Sequence, residues 1–402
     1  MINRIQEYGL EVVVINVVIG LLFIFYTNRK LEDKKNINFI LSTSFILSLI
    51  VGFYYYGNFL QGVLDSGGGD QYYYVSNYYK DNVSFYTKNP GYPFILNLFY
   101  KYNLPLYFLP ILNSFIFILI LIYGYRIAKI SLGKQEAFVY VFISGFFPPF
   151  LYQTALIQKD LIVTLLLIIT VYFFLQKKIK YIVMKLSIMT LLIYSFREGM
   201  ALIPLVLSIL SSTISNTKKI INSTIVLFLL IYYEKVSLIY SYINEYTTHV
   251  TNIDKYVQQN AGAVSSIFQG ESVITSPYLF IIGSLFFMIM PFPVIREGIY
   301  SFLYVVWPIY IIFFVNGAYI LIKRKASKNI KFIFYTILLV LTISVVSYGG
   351  INIRFRIPAI PFIFMIAASG FVYFLKGVRI VPYLVIFSYI YLHIIYYAYK
   401  IA

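Results

Sequence analysis

Apolar runs of about 15 to 24 residues recur along the whole chain and are separated by short polar segments. A bilayer core takes roughly 20 residues of helix to cross, and a helix satisfies its backbone hydrogen bonds internally. The pattern therefore predicts an all-α polytopic membrane bundle of about twelve transmembrane helices. The predicted spans are 12–26, 37–56, 104–125, 136–157, 161–176, 180–196, 199–214, 219–239, 299–322, 331–349, 358–375 and 380–399.

A thirteenth apolar run, residues 277–295, is long enough to cross but conflicts with the charge pattern. Counting it as a span would move the basic segment 323–331 to the outer side of the membrane. Pro291 and Pro293 also interrupt a helix there. We expect a re-entrant or interfacial segment, and the span count then lies between 11 and 13.

The chain has a net charge of +17, and the placement of its basic residues predicts its orientation in the membrane. Most Lys and Arg residues lie in six short loops, at 27–36, 126–135, 177–185, 217–219, 323–331 and 376–379. By the positive-inside rule these loops are cytoplasmic. Because the charge is explained by topology, we expect no nucleic acid partner.

The hydrophobic fraction of 60% leaves few residues for a soluble domain, so we expect one membrane domain over 1–402.

Several chemistries are excluded or disfavoured by composition. The chain has no cysteine, which excludes disulfides, thiolate metal sites and a cysteine nucleophile. Two histidines, His249 and His393, are too few for a histidine metal centre. No P-loop, nucleophile elbow or HExxH pattern occurs. The sequence therefore indicates neither a metal nor a cofactor.

Two outer loops are long enough to carry a site, at 57–103 and 240–276. In the first, Asp70 follows three glycines, which let the backbone approach a ligand closely. A carboxylate presented in this way is available as a base, and an ordinary solvated loop is the alternative. The same loop continues with PGYP, Pro90 to Pro93, and then an aromatic amphipathic stretch that suits the membrane surface.

Charged residues also interrupt the apolar pattern at predicted outer span ends. Lys159 and Asp160 lie between two spans, where Asp160 is either a functional acid or a helix N-cap. Three arginines occupy similar places: Arg197, Arg354 and Arg356. Arginine forks bind phosphate oxygens, and at this height they would meet a lipid headgroup; interface anchoring is the alternative.

The ordered motifs resemble the GT-C superfamily of polyprenyl-phosphate-dependent glycosyltransferases, especially glycosyltransferase family 39. The matching stretches, in chain order, are Asp70 with Tyr74, PGYP at 90–93, PPFLYQTALIQKD ending at Asp160, REGMALIPLVL from Arg197, and RFRIPAIPF from Arg354. Two departures are that Gln71 follows Asp70 where the family often has Asp-Glu, and that two spans precede the first loop where many members have one.

This resemblance implies a helical bundle with an extracytoplasmic cavity and a hexosyl- or pentosyltransferase activity. Asp70 would be the catalytic base and Asp160 a second catalytic carboxylate. The leaving phosphate would be bound by Arg197, Arg354, Arg356, Lys88 and Lys159, and sugar rings would stack on Tyr74 and Tyr92. The partners would be a polyprenyl-phosphate-linked sugar, a glycan, lipid or protein acceptor, and membrane lipids. The implied location is a bacterial plasma membrane, with the site facing outward.

Two other functions remain open at this point. An O-antigen or capsule repeat-unit polymerase has a similar size, span number and set of outer arginines, and it would use a diphosphate-linked oligosaccharide. A transporter or flippase for a lipid-linked saccharide would instead place its ionisable residues near the bilayer midplane, between related halves. Here the charges cluster at span ends, which favours an enzyme.

Overall fold

The computed structural model of the chain describes residues 10–29, 34–66, 90–176, 182–210, 307–324, 327–348 and 353–377, with a few single positions between 280 and 288. Helix is the regular secondary structure of this described part, and no strand occurs in it. The all-α prediction is therefore confirmed for these ranges. The number of membrane crossings stays a prediction.

The helices have the following bounds. The first nine are α1 Leu10–Thr27, α2 Lys34–Ser66, α3 Gly91–Lys101, α4 Phe108–Ser131, α5 Lys134–Gly145, α6 Pro148–Gln153, α7 Asp160–Leu175, α8 Ile182–Phe196 and α9 Leu202–Leu210. The last three are α10 Trp307–Lys323, α11 Lys328–Tyr348 and α12 Ile360–Leu375. Short 3-10 turns cover Glu198–Ala201 and Ile353–Ala359.

Among the residues that the structure describes, four helical stretches are long and apolar enough to cross a membrane. They are Lys34–Tyr56, Phe108–Ser131, Lys328–Val345 and Arg356–Leu375. Shorter apolar helices lie at Glu11–Thr27, Asp160–Leu175, Met184–Phe196, Glu198–Leu210 and Ile309–Lys323. The described part of the chain is thus compatible with a membrane protein.

One predicted span is not a single helix, and one helix extends beyond its predicted span. The span predicted at 136–157 is not one helix, because α5 ends at Gly145 and Pro148 then begins the short helix α6. Proline is well tolerated at the start of a helix and badly tolerated inside one. The span predicted at 37–56 continues as helix to Ser66, so the first ten residues of the predicted outer loop belong to α2.

The chain forms two compact units. The first comprises residues 1–176 and 191–201, and the second comprises 177–190 and 202–402. In the first unit α4 contacts α1, α2, α5 and α7, and its residues Phe117, Ile120 and Leu121 are fully buried. In the second unit α12 contacts α10, α11 and the 3-10 turn before it, and all residues from 360 to 370 are buried. The expectation of one membrane domain stays a prediction.

Candidate functional site

A buried ion pair joins two residues that the sequence singled out separately. Arg197 Nη2 lies 2.7 Å from Asp160 Oδ1. Asp160 is 0% exposed and Arg197 is 7% exposed. Both residues belong to the first unit, Asp160 as the first residue of α7 and Arg197 directly after α8, where its backbone N–H donates to Ile193 O.

The structure does not place Asp160 at the N-cap position of α7. The N-cap position of α7 is Lys159, and no side chain makes a capping hydrogen bond there. Asp160 instead occupies the first helical position and directs its carboxylate to Arg197. Lys159 is buried as well and lies within electrostatic range of the Asp160 carboxylate.

Tyr92, from the PGYP stretch, lies beside this pair. Burial raises the pKa of the Tyr92 hydroxyl, and the negative charge of Asp160 and the neighbouring Tyr56 raise it further. The hydroxyl therefore stays protonated at any physiological pH. We call Tyr92, Lys159, Asp160 and Arg197 the Asp160 cluster.

The sugar-stacking role of Tyr92 stays a prediction, and the structure shows the side chain buried. Its side chain is 1% exposed, so protein atoms cover both faces of the ring. An aromatic residue in an apolar sequence suits a packed core and a sugar-binding surface equally well, and in this structure the Tyr92 ring is packed against protein. Tyr92 is thus a buried neighbour of the ion pair.

Gly91 allows the PGYP stretch to approach the end of α8 closely. A Cβ atom at this position would lie 2.8 Å from Ser195 Oγ and 3.1 Å from Ser195 O. Ser195 precedes Arg197 by two residues, so this contact sets α3 against the segment that carries the arginine. A glycine here is explained by close backbone approach.

The segment that precedes Asp160 is a buried, irregular stretch of backbone. The chain leaves helix after Gln153 and re-enters it at Asp160, and all of 154–159 is buried except Gln158, which is half-buried. Asn113 of α4 donates from Nδ2 to the carbonyl oxygens of Thr154, at 3.3 Å, and Leu156, at 2.9 Å. The outer turn predicted at this place is therefore enclosed by protein.

Asn113 was missed by the sequence analysis. It lies inside the predicted span 104–125 and is buried. The sequence did contain a signal for its role, a side-chain amide within an apolar run. Such residues in membrane helices commonly form hydrogen bonds to a neighbouring segment.

The second unit contains a buried arginine of its own. Arg356 lies in the 3-10 turn Ile353–Ala359 and is fully buried, with its guanidinium carbon 5.2 Å from the centre of the Trp307 ring. Trp307 Nε1 donates to Met288 O at 2.8 Å. A cation over an indole ring at this distance is a favourable cation–π contact.

The remaining predicted site residues lie outside the described residues. These are Asp70, Tyr74, Lys88 and the side chain of Arg354, together with the loop at 240–276. The catalytic base and its surroundings therefore stay predictions. Within the described ranges, no group of three or more His, Asp or Glu side chains is placed to hold a metal ion.

Burying an ionised side chain in a membrane protein costs free energy, and burying an ion pair also does so unless the geometry of the pair is good. Such groups are functional candidates for that reason. In the Asp160 cluster the Arg197 guanidinium contacts the acid, and the Lys159 ammonium and the Tyr92 phenol lie within electrostatic range of it. No protein-family model matches the chain, and a comparison with curated proteins finds no significant match.

Proposed function

We propose that this chain is an integral membrane glycosyltransferase of a bacterial plasma membrane. It would transfer a sugar from a polyprenyl-phosphate-linked donor to a glycan, lipid or protein acceptor on the outer face. One observation carries this proposal: three of the five stretches that resemble GT-C enzymes meet in the Asp160 cluster. They contribute Tyr92, Asp160 with Lys159, and Arg197, from separate places in the chain.

The chemistry assigned to the site is an inverting displacement. Asp70 takes the proton of the acceptor hydroxyl, whose oxygen attacks the anomeric carbon of the donor. The bond between that carbon and the phosphate oxygen breaks, and the electron pair leaves with polyprenyl phosphate. The negative charge of the leaving group then needs a cation, which is the role proposed for Arg197.

The ion pair with Asp160 suits Arg197 to this role. Its guanidinium is planar, and the contact from Nη2 to Asp160 Oδ1 restricts how that plane can turn. Bidentate recognition of a phosphate depends on such an orientation. Lys159 adds a second positive charge to the cluster. Lys88, Arg354 and Arg356 stay candidates for phosphate binding on sequence grounds.

The proposal is tested first at the predicted base. Asp70→Asn keeps the shape of the side chain and removes its basicity, so we expect transfer to fall by at least about 100-fold. The assay supplies membranes containing the protein with radiolabelled polyprenyl-phosphate sugars and measures label in the acceptor fraction. Asp65→Asn, five residues earlier, is the matched control and should keep full transfer.

Full transfer by the Asp70→Asn variant would rule out this residue as the base. A parent protein that consumes only diphosphate-linked oligosaccharides, and extends them, would rule out the proposed donor and establish the polymerase alternative.

A further inference from the structure

The irregular segment 154–159 contacts hydrogen-bonding groups of two other helices, the Asn113 side chain of α4 and the Ser48 backbone carbonyl of α2. Asn113 Nδ2 has two N–H donors, and both have a carbonyl partner, Thr154 O at 3.3 Å and Leu156 O at 2.9 Å. The Thr154 hydroxyl lies 2.6 Å from Leu151 O and 3.2 Å from Ser48 O of α2. Buried backbone outside a helix needs such partners, because water is not available to supply them.

The last residues of this segment carry the charges of the Asp160 cluster. Only two residues separate Leu156, the second partner of Asn113, from Lys159. The Leu156 carbonyl also accepts from the Gln158 N–H at 3.0 Å, and this bond tightens the chain just before Lys159. The start of α7, and with it the direction of the Asp160 carboxylate, therefore follows from where Asn113 holds the chain.

We propose that Asn113 is a positioning residue for the Asp160–Arg197 pair. It acts through the backbone of 154–159 and touches neither charge itself. The consequence for catalysis rests on the function proposed above, whereas the consequence for the segment does not. Without the two donors of Asn113, Thr154 O and Leu156 O lose their side-chain partner, and the segment moves to restore hydrogen bonds.

The test uses Asn113→Leu, which keeps a similar volume and removes both donors. Asn316→Leu is the matched control, because Asn316 is also a buried amide that donates from Nδ2 to a backbone carbonyl, Gly370 O at 2.9 Å, and it belongs to the second unit. A loss of packing quality common to buried amides would affect both variants. An effect on the segment would affect only Asn113→Leu.

The first readout is independent of enzyme activity. The chain has no cysteine, so Ala155→Cys introduces a unique thiol in the buried segment. In purified protein, we expect Asn113→Leu to raise the rate of maleimide labelling of this thiol at least tenfold. Asn316→Leu should leave that rate within twofold of the parent.

The second readout is glycan transfer at saturating donor and acceptor. We expect kcat to fall at least tenfold in Asn113→Leu with KM changed less than threefold, since substrate contacts remain but the charges are misplaced. Asn113→Gln, which keeps the donors on a longer side chain, should recover part of the rate. If Asn113→Leu does not fold, Asn113→Ala, which also removes both donors, carries both readouts.

The outcomes separate the two proposals. Equal labelling rates in Asn113→Leu and Asn316→Leu, or faster labelling with an unchanged kcat, would overturn the positioning role. Faster labelling in a protein whose parent transfers no sugar would support the role of Asn113 in holding the segment, and would overturn the proposed function instead.

Discussion

The carboxylate of Asp160 and the guanidinium of Arg197 meet where water is excluded. Removing two charges from water costs several kcal/mol each, and their attraction repays this only with good geometry. Removing one partner leaves the other buried without compensation. Arg197 and Asp160 should therefore depend on each other strongly.

We predict that Arg197→Gln lowers the free energy of unfolding by about 3–5 kcal/mol, the usual cost of breaking a buried pair. The double variant Asp160→Asn/Arg197→Gln should lose less than the sum of the two single variants, because it leaves neither charge of the pair alone. Reversible unfolding of the purified protein in mixed micelles measures all three. Lys328→Gln, at an exposed position, is the control. Strictly additive losses would show that the two residues do not interact.

The residues of the Asp160 cluster differ in how far the sequence predicts them. Asp160 and Arg197 stand out because ionised side chains interrupt apolar runs. Their pairing does not follow from the sequence, since it depends on how the end of α8 packs near the start of α7. The burial of Tyr92 does not follow from the sequence either, because nothing in a local sequence distinguishes an aromatic ring that is covered by protein from one that is open.

At the scale of elements, α10 and α12 approach each other at backbone contact. A Cβ atom on Gly317 would clash with Ile366 O, and one on Gly370 would clash with Phe313 O. The absence of side chains at both positions lets the two backbones meet, as small residues do between membrane helices. Asn316 adds a hydrogen bond to Gly370 O at 2.9 Å across the same contact.

We predict that Gly317→Ala lowers the free energy of unfolding by about 1–3 kcal/mol or more, because the added methyl group must push a rigid backbone carbonyl away. The same unfolding assay measures this loss. Gly52→Ala is the control: its Cβ would meet only Pro110 Cβ, at 3.1 Å, and a shift of a few tenths of an ångström relieves it. An equally small effect of both substitutions would argue against the close contact of α10 with α12.

The hydropathy pattern predicts most of the described helices, but it does not predict where a predicted helix is interrupted. The run 136–157 is mostly apolar, and hydropathy alone does not distinguish one crossing helix from α5, α6 and a buried irregular segment. Pro148 and Pro149 were the available signal, because adjacent prolines inside an apolar run favour a new helix start. The extension of α2 to Ser66 had no comparable signal.

At the scale of the whole molecule, the positive loops predict which ends of the helices face the cytoplasm. We predict that a membrane-impermeant maleimide labels Tyr102→Cys in intact cells and labels Lys328→Cys only after permeabilisation. Both positions are exposed, Tyr102 by 66%, and the parent chain has no cysteine to interfere. Labelling of Lys328→Cys in intact cells would contradict the predicted orientation.

The helical class follows from composition, because an apolar chain in a bilayer has few other ways to satisfy its backbone. The division into two compact units does not follow. Residues 177–190 and 191–201 come from one continuous stretch, yet they belong to different units. Since α8 is apolar over most of its surface, periodicity does not indicate which neighbours it packs against.

The distance along the chain between the two charges of the ion pair has a consequence for biogenesis. Arg197 is synthesised 37 residues after Asp160, which at roughly 5–20 residues per second is a delay of a few seconds. Asn113, in contrast, emerges before the segment that it holds. During the delay the ribosome has delivered an acidic helix start whose ion-pair partner, Arg197, does not yet exist. We therefore expect the start of α7 to stay at the lipid–water boundary or in the translocon until the end of α8 has been synthesised. The two helices would then integrate into the membrane together, in a single late step.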